Sequence, residues 1–481
     1  MLETTNTWKI CEECFGTGKK YRRPRKKARL LYKLACAAFE KSKGETPLPI
    51  RPISQPYLCI TCKGSGLLAS ANPPQADTEN LPHVAIIGGG IGGVALAVAC
   101  LHRGIPFTLY ERDNSFNDRS QGYGLTLQQA TKAIEGLGIF YLAEGLVSTR
   151  HIVHTTHGEI IGEWGVRKWF GEKGNDYQRK TNIHIARQSL RQAMLQQLVS
   201  ADSVQWGHQL INYRATMNDG IELTFQVNGE TTTKRADLLV GADGIRSTVR
   251  RLLIGDDLTP LRYLGCIVIL GICPLNALQG VESNLLDGST VFQTANGHER
   301  IYMMPYSRDS VMWQLSFPLT EVEAKLLSGQ GSVALKQEAI KRTPWHTPVP
   351  EIIAATDVKN ISGYPVYDRA ILEPSILQKS NNVTLIGDAA HPMSPFKGQG
   401  ANQALLDALS LARGIAKGCR AGSQWKQFGL RACVLNEFEA EMLERSAVKV
   451  KSSEEAAQFL HSDIVLHEAD EPRGRKLKSE Q

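Results

Sequence analysis

The amino-acid sequence carries one eight-residue pattern twice, C-x-x-C-x-G-x-G, at residues 11–18 and again at residues 59–66. Each C-x-x-C pair offers two thiolates from one tight turn, and the following glycines allow the positive φ that points backbone N–H groups at sulfur. Four thiolates complete a closed tetrahedral site, which is typical of structural zinc rather than of catalysis. The pattern predicts one zinc ion with these ligands: Cys11, Cys14, Cys59 and Cys62.

A different pattern, G-x-G-x-x-G, is formed by Gly88, Gly90 and Gly93. In a dinucleotide-binding turn the first glycine allows the tight bend, the second lets the backbone approach a pyrophosphate, and the third lets a helix pack on a strand. Glu111 follows 18 residues after Gly93, where a carboxylate can accept hydrogen bonds from a ribose diol. Because a carboxylate disfavours a 2′-phosphate, the pattern indicates FAD or NAD rather than NADP.

The elements that must position these glycines follow from the apolar pattern of residues 83–112. The run HVAIIG reads as a buried strand, the apolar stretch up to Gly104 as a helix, and PFTLYERD as the next strand. Strand, helix and strand within about thirty residues make a βαβ unit.

Further along the chain, alternating strands give way to helices. Residues 151–165, 203–240 and 261–317 predict strands, with a hairpin at Asn228-Gly229. Residues 382–388 predict another buried strand that ends at a glycine. Helices are expected at residues 26–43, 320–328, 332–342, 400–417 and 424–448.

Composition limits the class of protein. Hydrophobic residues make up 42% and charged residues 21%, which is typical of a globular chain and excludes a disordered or collagen-like one. Residues 1–80 hold 14 basic and 7 acidic residues, which accounts for the whole net charge of +7. The opening MLETTNTWKI lacks the features of a secretory signal, so a cytoplasmic location is expected. The uncharged stretches 84–101 and 263–281 contain glycines or Pro274, so no membrane span is predicted.

Two later motifs decide between the cofactors. LLVGADGIRSTVRR at residues 238–251 resembles the "DG" motif of the flavoprotein aromatic hydroxylases, and residues 383–412, which begin VTLIGDAAHPMSPFKGQGAN, resemble their "GD" motif. These are the group A, single-component FAD monooxygenases of the para-hydroxybenzoate and salicylate hydroxylase type, and the resemblance spans about residues 83–450. It implies bound FAD, NAD(P)H as a transient co-substrate, and O2-dependent hydroxylation of a small aromatic or polycyclic substrate through a flavin C4a-hydroperoxide.

The resemblance also implies roles for single residues. Asp388 matches a carboxylate that accepts hydrogen bonds from the ribityl hydroxyls. Asp243 matches a position linked to FAD and could at the same time be a helix N-cap. Arg112 and Arg187 resemble arginines near the FAD phosphates and ribityl chain, with a surface position as the alternative. A loop and helix start can stabilise negative charge on the reduced flavin. Its residues are Pro395, Gly398, Gly400, Ala401 and Asn402.

The sequence predicts less about the residues of the substrate pocket. The hydroxylation requires no side-chain nucleophile, because the cofactor carries the oxygen, so no catalytic residue is assigned. His151, His154 and His157 do not share one face of a strand, which argues against a metal cluster. The candidates for lining the pocket, each of which also fits a core position, are Tyr123, Gln128, Gln293, Met303, Tyr306 and Trp313.

The paired cysteine motifs resemble the cysteine-rich domain of DnaJ-type co-chaperones. That domain has four repeats and two zinc ions, whereas this chain has two repeats and no J-domain signature, so chaperone function is not expected. The insert KKYRRPRKKAR at residues 19–29 could bind nucleic acid or anionic lipid. Tyr21 alone offers little base stacking, which favours a solvated basic loop.

Together the patterns predict an α/β fold. It has a Rossmann-like FAD-binding domain with an inserted mixed β-sheet substrate domain, C-terminal helices, and a small N-terminal zinc module. Two alternatives stay open: an FAD-dependent reductase of the same fold acting on an isoprenoid double bond, and a zinc-centred interaction or nucleic-acid module with an inactive flavin domain. The predicted boundaries are 1–70 for the zinc module, 71–82 for a linker, 83–450 for the monooxygenase domain with its substrate sheet at roughly 151–185 and 255–320, and 451–481 for a C-terminal helix and tail.

Overall fold

The chain folds as two compact units, residues 1–74 and residues 75–481, which we call the cysteine unit and the large unit. The predicted charged tail after residue 472 lies outside the described residues. The computed structural model describes residues 7–42, 47–52, 54–118, 122–128, 130–170, 182–198, 203–216 and 220–472.

The described residues of the cysteine unit form two short antiparallel strand pairs and one helix. Strand β1 pairs with β4, and β2 pairs with β3. The predicted helix is confirmed as α1, yet α1 buries none of its residues, and Leu30 and Leu34 are each 59% exposed. The elements are β1 (Thr7–Ile10), β2 (Lys19–Arg22), α1 (Lys26–Lys41), β3 (Gln55–Leu58) and β4 (Leu67–Ser70).

The large unit alternates strands and helices before it ends in helices. Its strands are β5 (Val84–Ile87), β6 (Phe107–Tyr110), β7 (Gly124–Leu127), β8 (Leu146–Val147), β9 (Arg150–His154), β10 (Ile160–Trp164), β11 (Ile183–Ala186), β12 (Val204–Gln205), β13 (Gln209–Ala215), β14 (Ile221–Val227), β15 (Glu230–Ala236), β16 (Leu238–Gly241), β17 (Leu261–Pro274), β18 (Thr290–Ala295), β19 (Arg300–Ser307), β20 (Ser310–Pro318), β21 (Ile361–Arg369) and β22 (Val383–Leu385). Its helices are α2 (Ile91–Leu101), α3 (Thr131–Glu135), α4 (Val166–Phe170), α5 (Arg187–Leu195), α6 (Thr248–Ile254), α7 (Glu321–Gly329), α8 (Gly331–Arg342), α9 (Val349–Ala355), α10 (Pro374–Leu377), α11 (Gly400–Gly418), α12 (Trp425–Leu430) and α13 (Asn436–Phe459).

A five-stranded parallel sheet, in the order β12-β6-β5-β16-β22, forms the centre of the large unit. All four residues of β5 are buried, as is α2 from Ile91 to Cys100, because this apolar stretch lies between the sheet and helices α5 and α11. Parallel strands covered on both faces read as continuous apolar runs, and that pattern is what the sequence showed. The predicted βαβ unit and the α/β class are confirmed.

A second, seven-stranded mixed sheet has the order β10-β9-β18-β19-β20-β17-β21. One face packs on α7, α8 and α9, with Ile301, Met303 and Trp313 in its apolar core. The opposite face carries Tyr302, Met304 and other residues that line a cavity. Since side chains alternate along a strand, neighbouring residues of β19 serve different layers.

The predicted hairpin and most predicted helices are confirmed. Asn228 and Gly229 connect β14 to β15 with φ of 49° and 85°, as a two-residue hairpin turn requires. The helix expected at 424–448 is instead broken near Gly429, which has non-helical backbone angles, and continues as α13 to Phe459. Among the described residues, no helix combines the length and the apolar character that a membrane crossing requires.

Candidate active site and cysteine site

The glycine loop, residues 88–93, joins β5 to α2. Gly88 has a φ of +107°, and a Cβ on it would lie 2.6 Å from the carbonyl oxygen of Ala242. A Cβ on Gly93 would lie 1.9 Å from the carbonyl oxygen of Gly88, so both positions exclude a side chain. Gly90 lines the cavity, and a Cβ there would meet only the Arg187 guanidinium, at 3.8 Å. The loop therefore leaves room for a ligand at the position where the motif predicts a pyrophosphate.

Glu111 fixes the shape of this loop from the end of β6. Its Oε2 accepts a hydrogen bond from the N–H of Gly89 at 2.6 Å, and its Oε1 accepts one from the N–H of Asp113 at 3.0 Å. The carboxylate is nearly buried beside the loop, where the motif predicts a ribose contact. The next residue, Arg112, is exposed.

Two arginines of α5 approach the glycine loop. Arg187, at the first position of the helix, lines the cavity. Arg191 lies one turn later, and its Nε donates to the carbonyl oxygen of Gly89 at 2.6 Å. Sequence reasoning missed Arg191, although its spacing of four from Arg187 places both on one helix face. Arg191 supports the loop, while Arg187 places a positive charge at the cavity beside it.

The DG loop, residues 242–247, follows β16. Asp243 accepts hydrogen bonds from the backbone N–H groups of Thr248 and Val249, at 2.7 and 3.2 Å, and from the hydroxyl of Ser247. Its carboxylate therefore caps the start of α6, and it does not line the cavity, unlike its neighbours Gly244 and Arg246. The N-cap residue of α6 is Ser247, whose hydroxyl accepts from the N–H of Arg250 at 2.9 Å, and Asp243 accepts from the N–H groups of the two residues before Arg250.

Arg250 of α6 ties the DG loop to the GD loop, residues 387–399. Its Nη1 donates to the carbonyl oxygens of Ala389 and Ala390, at 2.8 and 3.0 Å. The side chain is buried, and burial together with the nearby Arg369 lowers the pKa of Arg250 to about 10. The GD loop is thus held by a partner 139 residues earlier in the chain, which no local sequence pattern reveals.

Asp388 presents its carboxylate to the cavity from the GD loop. Burial raises the pKa of Asp388, whereas the nearby His391 and Arg187 favour its charged form. Among the described residues it makes no side-chain hydrogen bond, so its oxygens stay available for hydroxyl groups of a ligand. A carboxylate that faces the cavity without a side-chain partner in this way fits the predicted ribityl contact.

A buried cluster behind the GD loop keeps Asp388 in place. The carboxylate of Asp407 accepts from the N–H of Gly387 at 2.8 Å, contacts His391 Nε2 at 2.7 Å, and accepts from Arg445 Nη2 at 2.8 Å. Although burial opposes it, the Asp407 carboxylate raises the pKa of His391 and favours its cationic form. The cluster therefore places positive charge behind Asp388.

The GD loop ends at the first turn of α11. Pro395 begins a short turn that closes at Gly398, whose φ of 58° lies in the left-handed region. Gly400 and Ala401 line the cavity, and a Cβ on Gly400 would lie 3.4 Å from Asp388 Oδ1. The first-turn N–H groups of a helix have no intrahelical acceptor, and the helix dipole adds positive potential there. This end of the cavity therefore suits an electron-rich ligand edge.

Asn402 has a supporting role. Its Oδ1 accepts from the N–H groups of Gln128 and Ala130, at 2.9 and 3.2 Å. Its Nδ2 donates to the carbonyl oxygens of Thr126 and Gly398, at 2.9 and 2.8 Å. Because its amide oxygen and its amide nitrogen are both hydrogen-bonded, the Asn402 side chain joins the segment after β7 to the GD loop.

These elements enclose one continuous cavity of about 1300 Å³. It extends from the glycine loop at Gly90, past Arg187, Asp388 and the start of α11, to the face of the seven-stranded sheet that lies opposite α7, α8 and α9. Sites for small ligands usually measure about 300–1,000 Å³, so the space suits a dinucleotide together with a second molecule.

The predicted pocket residues divide between the two faces of the sheet. Tyr123, Gln128 and Gln293 line the cavity, as expected. Met303 and Trp313 do not, because they belong to the core on the opposite face, where Trp313 Nε1 donates to Thr356 Oγ1 at 2.9 Å.

Tyr306 also lies outside the cavity lining. Its hydroxyl donates to the carbonyl oxygen of Gly122 at 2.8 Å. The residues that sequence reasoning missed on the lining face include Tyr302, Met304, Met312 and Gln314.

His151, His154 and His157 do not come together at one site. His151 lines the cavity and stacks on Trp164, with ring centroids 5.3 Å apart and an interplanar angle of 7°. The His154 ring instead lies 4.8 Å from that of His346. Within the described part of the chain, the only cluster whose ligand atoms could hold a metal ion is the four cysteines.

In the cysteine unit the four predicted sulfur atoms lie within 4.8 Å of one another. The Sγ atoms of Cys11 and Cys59 lie 3.9 Å apart, and those of Cys14 and Cys62 lie 3.7 Å apart. A tetrahedral ion with zinc–sulfur bonds of about 2.3 Å needs sulfur atoms about 3.8 Å apart. The geometry of the sulfur atoms therefore fits a four-coordinate zinc ion.

The two cysteine motifs pack on each other in a reciprocal manner. The N–H groups of Gly18 and Gly66 donate to Cys14 Sγ and Cys62 Sγ, at 3.2 and 3.3 Å. A Cβ on Gly18 would lie 2.1 Å from the carbonyl oxygen of Gly64, and Gly18 and Gly66 have φ of +73° and +84°. The repeated glycines are thus required both for N–H···S bonds and for close packing. The basic residues 19–29 form β2 and the start of α1, where Lys20 pairs with Glu13.

Comparison with known proteins identifies relatives of the large unit. The sequence profile of the FAD binding domain family matches residues 82–426. The chain is 30% identical over 334 residues to the aurachin C monooxygenase/isomerase of Stigmatella aurantiaca, a match that covers 69% of this chain and 79% of that protein. It is 28% identical over 341 residues to a 3-amino-4-hydroxybenzoate 2-monooxygenase of Streptomyces platensis, covering 70% of this chain and 80% of that protein.

A solved structure agrees at the level of the fold. The structure of 2,6-dihydroxypyridine-3-hydroxylase from Arthrobacter nicotinovorans superposes with a TM-score of 0.65 at 18% identity, over 84% of this chain and 99% of that one. The sequence match, the glycine loop and the enclosed cavity lead to one assignment: the chain belongs to the FAD-binding family of flavoprotein monooxygenases.

Proposed function

We propose that the large unit uses NAD(P)H and O2 to hydroxylate a small aromatic or polycyclic substrate. One oxygen atom of O2 enters the substrate and the other leaves as water, while NAD(P)H supplies two electrons and one further proton is consumed. The observation that carries the proposal is the single cavity of about 1300 Å³ that connects the glycine loop, Asp388 and the sheet face. When bound, FAD takes the electrons from NAD(P)H and activates O2.

The contacts support a particular orientation of FAD. We assign the pyrophosphate to the glycine loop at Gly90, with Arg187 as the nearby positive charge. We propose that Glu111, next to the glycine loop, binds the adenosine ribose and that Asp388 binds the ribityl hydroxyls. The N–H groups at the start of α11 then lie at the flavin edge, where they stabilise negative charge.

Four further site residues remain predictions, and the support for them differs. Asn402 and Pro395 act through the shape of the loop around Gly398. Asp243 has its carboxylate occupied at the start of α6, so we propose that it shapes the DG loop rather than binding FAD directly. For Arg112, its exposure favours the surface alternative.

Hydroxylation is favoured over the reductase alternative because both relatives above are named as monooxygenases. One of them acts on an aminohydroxybenzoate, which supports a small aromatic substrate for this chain. In the cysteine unit we propose one structural zinc ion on the four thiolates, with no part in the oxidation, because a closed site has no open position.

The test is oxygen transfer. Purified protein should carry one FAD per chain, and a library of phenols and fused-ring aromatics should contain compounds that accelerate NAD(P)H oxidation. With ¹⁸O₂ the product of such a compound should gain one labelled oxygen atom. Label in the product from H₂¹⁸O instead, or substrate reduction without O2 consumption, would reject the monooxygenase proposal.

A further inference from the structure

Helix α1 of the cysteine unit carries an exposed patch of leucines. Leu30, Leu31 and Leu34, which we call the leucine patch, are 59%, 56% and 59% exposed. The half-buried residues of α1 recur at helical spacing and mark the opposite face of the helix: Ala28, Arg29, Tyr32, Cys36 and Phe39. Single exposed leucines are common, but neighbouring ones on one helix face are typical of a surface that contacts another molecule.

Positive charge surrounds the leucine patch. Residues 19–33 contain nine basic residues and no acidic one. Among the described residues, only Lys20 of these nine pairs with a carboxylate, that of Glu13. The exposed lysines on the first two turns of α1 are Lys26, Lys27 and Lys33. Most of the charge of this segment is therefore available to a partner.

The charge at the start of α1 does not serve the stability of the helix. Lys26 and Lys27 occupy the first turn, which contains no acidic residue, and the N-cap Arg25 makes no side-chain cap hydrogen bond. Cations near a helix N-terminus oppose the helix dipole, so this arrangement costs helix stability. The fold gives no reason for these lysines, whereas a negatively charged partner does.

Charge and apolar side chains together determine the kind of partner. A second copy of the chain would bring the same positive charge to the contact, and like charges repel. Single-stranded nucleic acid is bound through aromatic rings that stack on bases, whereas the leucine patch is aliphatic. An anionic bilayer offers both negatively charged head groups and an apolar layer beneath them.

The helix is suited to lie along a membrane surface rather than to cross the membrane. Its 16 residues span about 24 Å, less than the hydrocarbon core of about 30 Å. It also contains five basic residues, which are costly within that core. Lysine side chains at the interface lay their methylene stems along apolar groups and keep the ammonium groups at the head groups.

We propose that α1 docks the protein on an anionic phospholipid surface. The leucine patch enters the boundary between head groups and acyl chains, and Lys26, Lys27 and Lys33 contact the head groups. The cysteine unit thereby attaches the enzyme to a membrane surface. This inference does not rest on the oxidation proposed for the large unit, because it concerns only residues of the cysteine unit.

The first experiment compares two kinds of vesicle with the full chain loaded with zinc and FAD. One kind contains phosphatidylcholine alone, and the other contains equimolar phosphatidylcholine and phosphatidylserine. Sedimentation with the vesicles measures binding. We expect at least roughly tenfold tighter binding to the anionic vesicles, with a decrease as salt is raised. Equal binding to both kinds, or binding to neither, overturns the proposal. If a single-stranded RNA or a duplex DNA binds and the vesicles do not, the surface is a nucleic-acid site and the proposal is wrong.

A leucine variant then tests the apolar contact. Leu30→Ala combined with Leu34→Ala should weaken binding to the anionic vesicles at least roughly tenfold, because less apolar surface enters the bilayer. Alanine favours the helix, so the loss cannot come from unfolding of α1. The matched control is Val322→Ala combined with Leu326→Ala on α7, which has the same spacing and exposures of 77% and 63%. It should bind as the wild type does.

A lysine variant tests the charge. Changing Lys26, Lys27 and Lys33 together to glutamine should weaken binding to the anionic vesicles roughly a hundredfold, whereas changing all three to arginine should preserve it because the charge remains.

Two results with the variants overturn the assignment to α1. Wild-type binding by the leucine variant would show adsorption through charge alone, and wild-type binding by the glutamine variant would place the contact on another surface. Zinc and FAD contents equal to those of the wild type show that both units are intact. The comparison of vesicles needs no variant, so misfolding of a variant leaves the proposal testable.

Discussion

The two units of this chain bury different kinds of side chain. In the cysteine unit the buried cluster consists of the four thiols with Leu68 packed on them, and α1 buries nothing. In the large unit α2 alone buries every residue from Ile91 to Cys100, within an apolar core that surrounds the parallel sheet. A domain as small as the cysteine unit needs a bound metal or another cross-link to fold, whereas the large unit has enough apolar core to fold without one. We therefore expect metal binding to control the folding of the cysteine unit and the cofactor to matter mainly for the function of the large unit.

The largest effect should follow removal of the metal. In the full chain, Cys14→Ser or a strong chelator should unfold the cysteine unit, because structural zinc contributes about 10 kcal/mol or more to such sites. Zinc analysis should fall to zero, and limited proteolysis should cut within residues 1–74 while the large unit keeps its FAD. Cys36→Ser is the control, since Cys36 lies outside the four-sulfur cluster. Release of FAD on chelation would show that the units are energetically coupled.

A backbone change at the glycine loop should remove FAD from the large unit and leave the zinc site of the cysteine unit intact. In Gly93→Ala the new Cβ would lie 1.9 Å from the carbonyl oxygen of Gly88, so the loop must shift. We expect destabilisation at the upper end of about 1–3 kcal/mol and loss of FAD, with zinc content unchanged. Gly329→Ala is the matched control, because a Cβ there has nothing within 4 Å. Full FAD occupancy in Gly93→Ala would contradict the assignment of this loop.

A charge change inside the cavity should affect FAD without affecting the fold. Asp388→Asn keeps the size of the side chain and removes the carboxylate that faces the cavity. Losing a charge-assisted hydrogen bond costs about 1.5–3 kcal/mol, so the affinity for FAD should fall roughly tenfold to a hundredfold. Titration of the apoprotein with FAD measures this, and Asp357→Asn, on an exposed turn, should bind FAD normally. Normal affinity in Asp388→Asn would move the ribityl contact elsewhere.

The sequence predicted those parts of the site that local pattern determines. The strand, glycine turn and helix at residues 84–101 were predictable because spacing and apolar runs share one short segment. Arg250 and Arg445 were not, because each bonds to a residue far away in the chain, at Ala389 and Asp407.

The cavity face of the sheet was not predictable for a different reason. Strands buried on both faces carry apolar residues at consecutive positions, so the alternation that assigns a face is lost. Met303 and Met304 are adjacent in sequence, but Met303 lies in the core on one face of the sheet and Met304 lines the cavity on the other. Only the surrounding strands and helices decide which of the two faces the cavity.

The smallest effect concerns where the large unit begins. Residues 77–81, within the predicted linker, bond to later residues of the large unit. The N–H of Asp77 donates to the carbonyl oxygen of Gly104 at 2.8 Å, and Trp425 Nε1 donates to that of Asn80 at 2.7 Å. A chain that starts at Gln75 should therefore bind FAD and unfold at the same temperature as the large unit of the full chain. A chain that starts at His83 loses both bonds, at about 0.5–1.5 kcal/mol each, and should unfold a few degrees lower while still binding FAD. Differential scanning fluorimetry of the flavin signal compares the two. Equal melting temperatures would show that residues 77–81 contribute nothing to the stability of the large unit, and failure of the Gln75 chain to fold would show that the large unit depends on the cysteine unit after all.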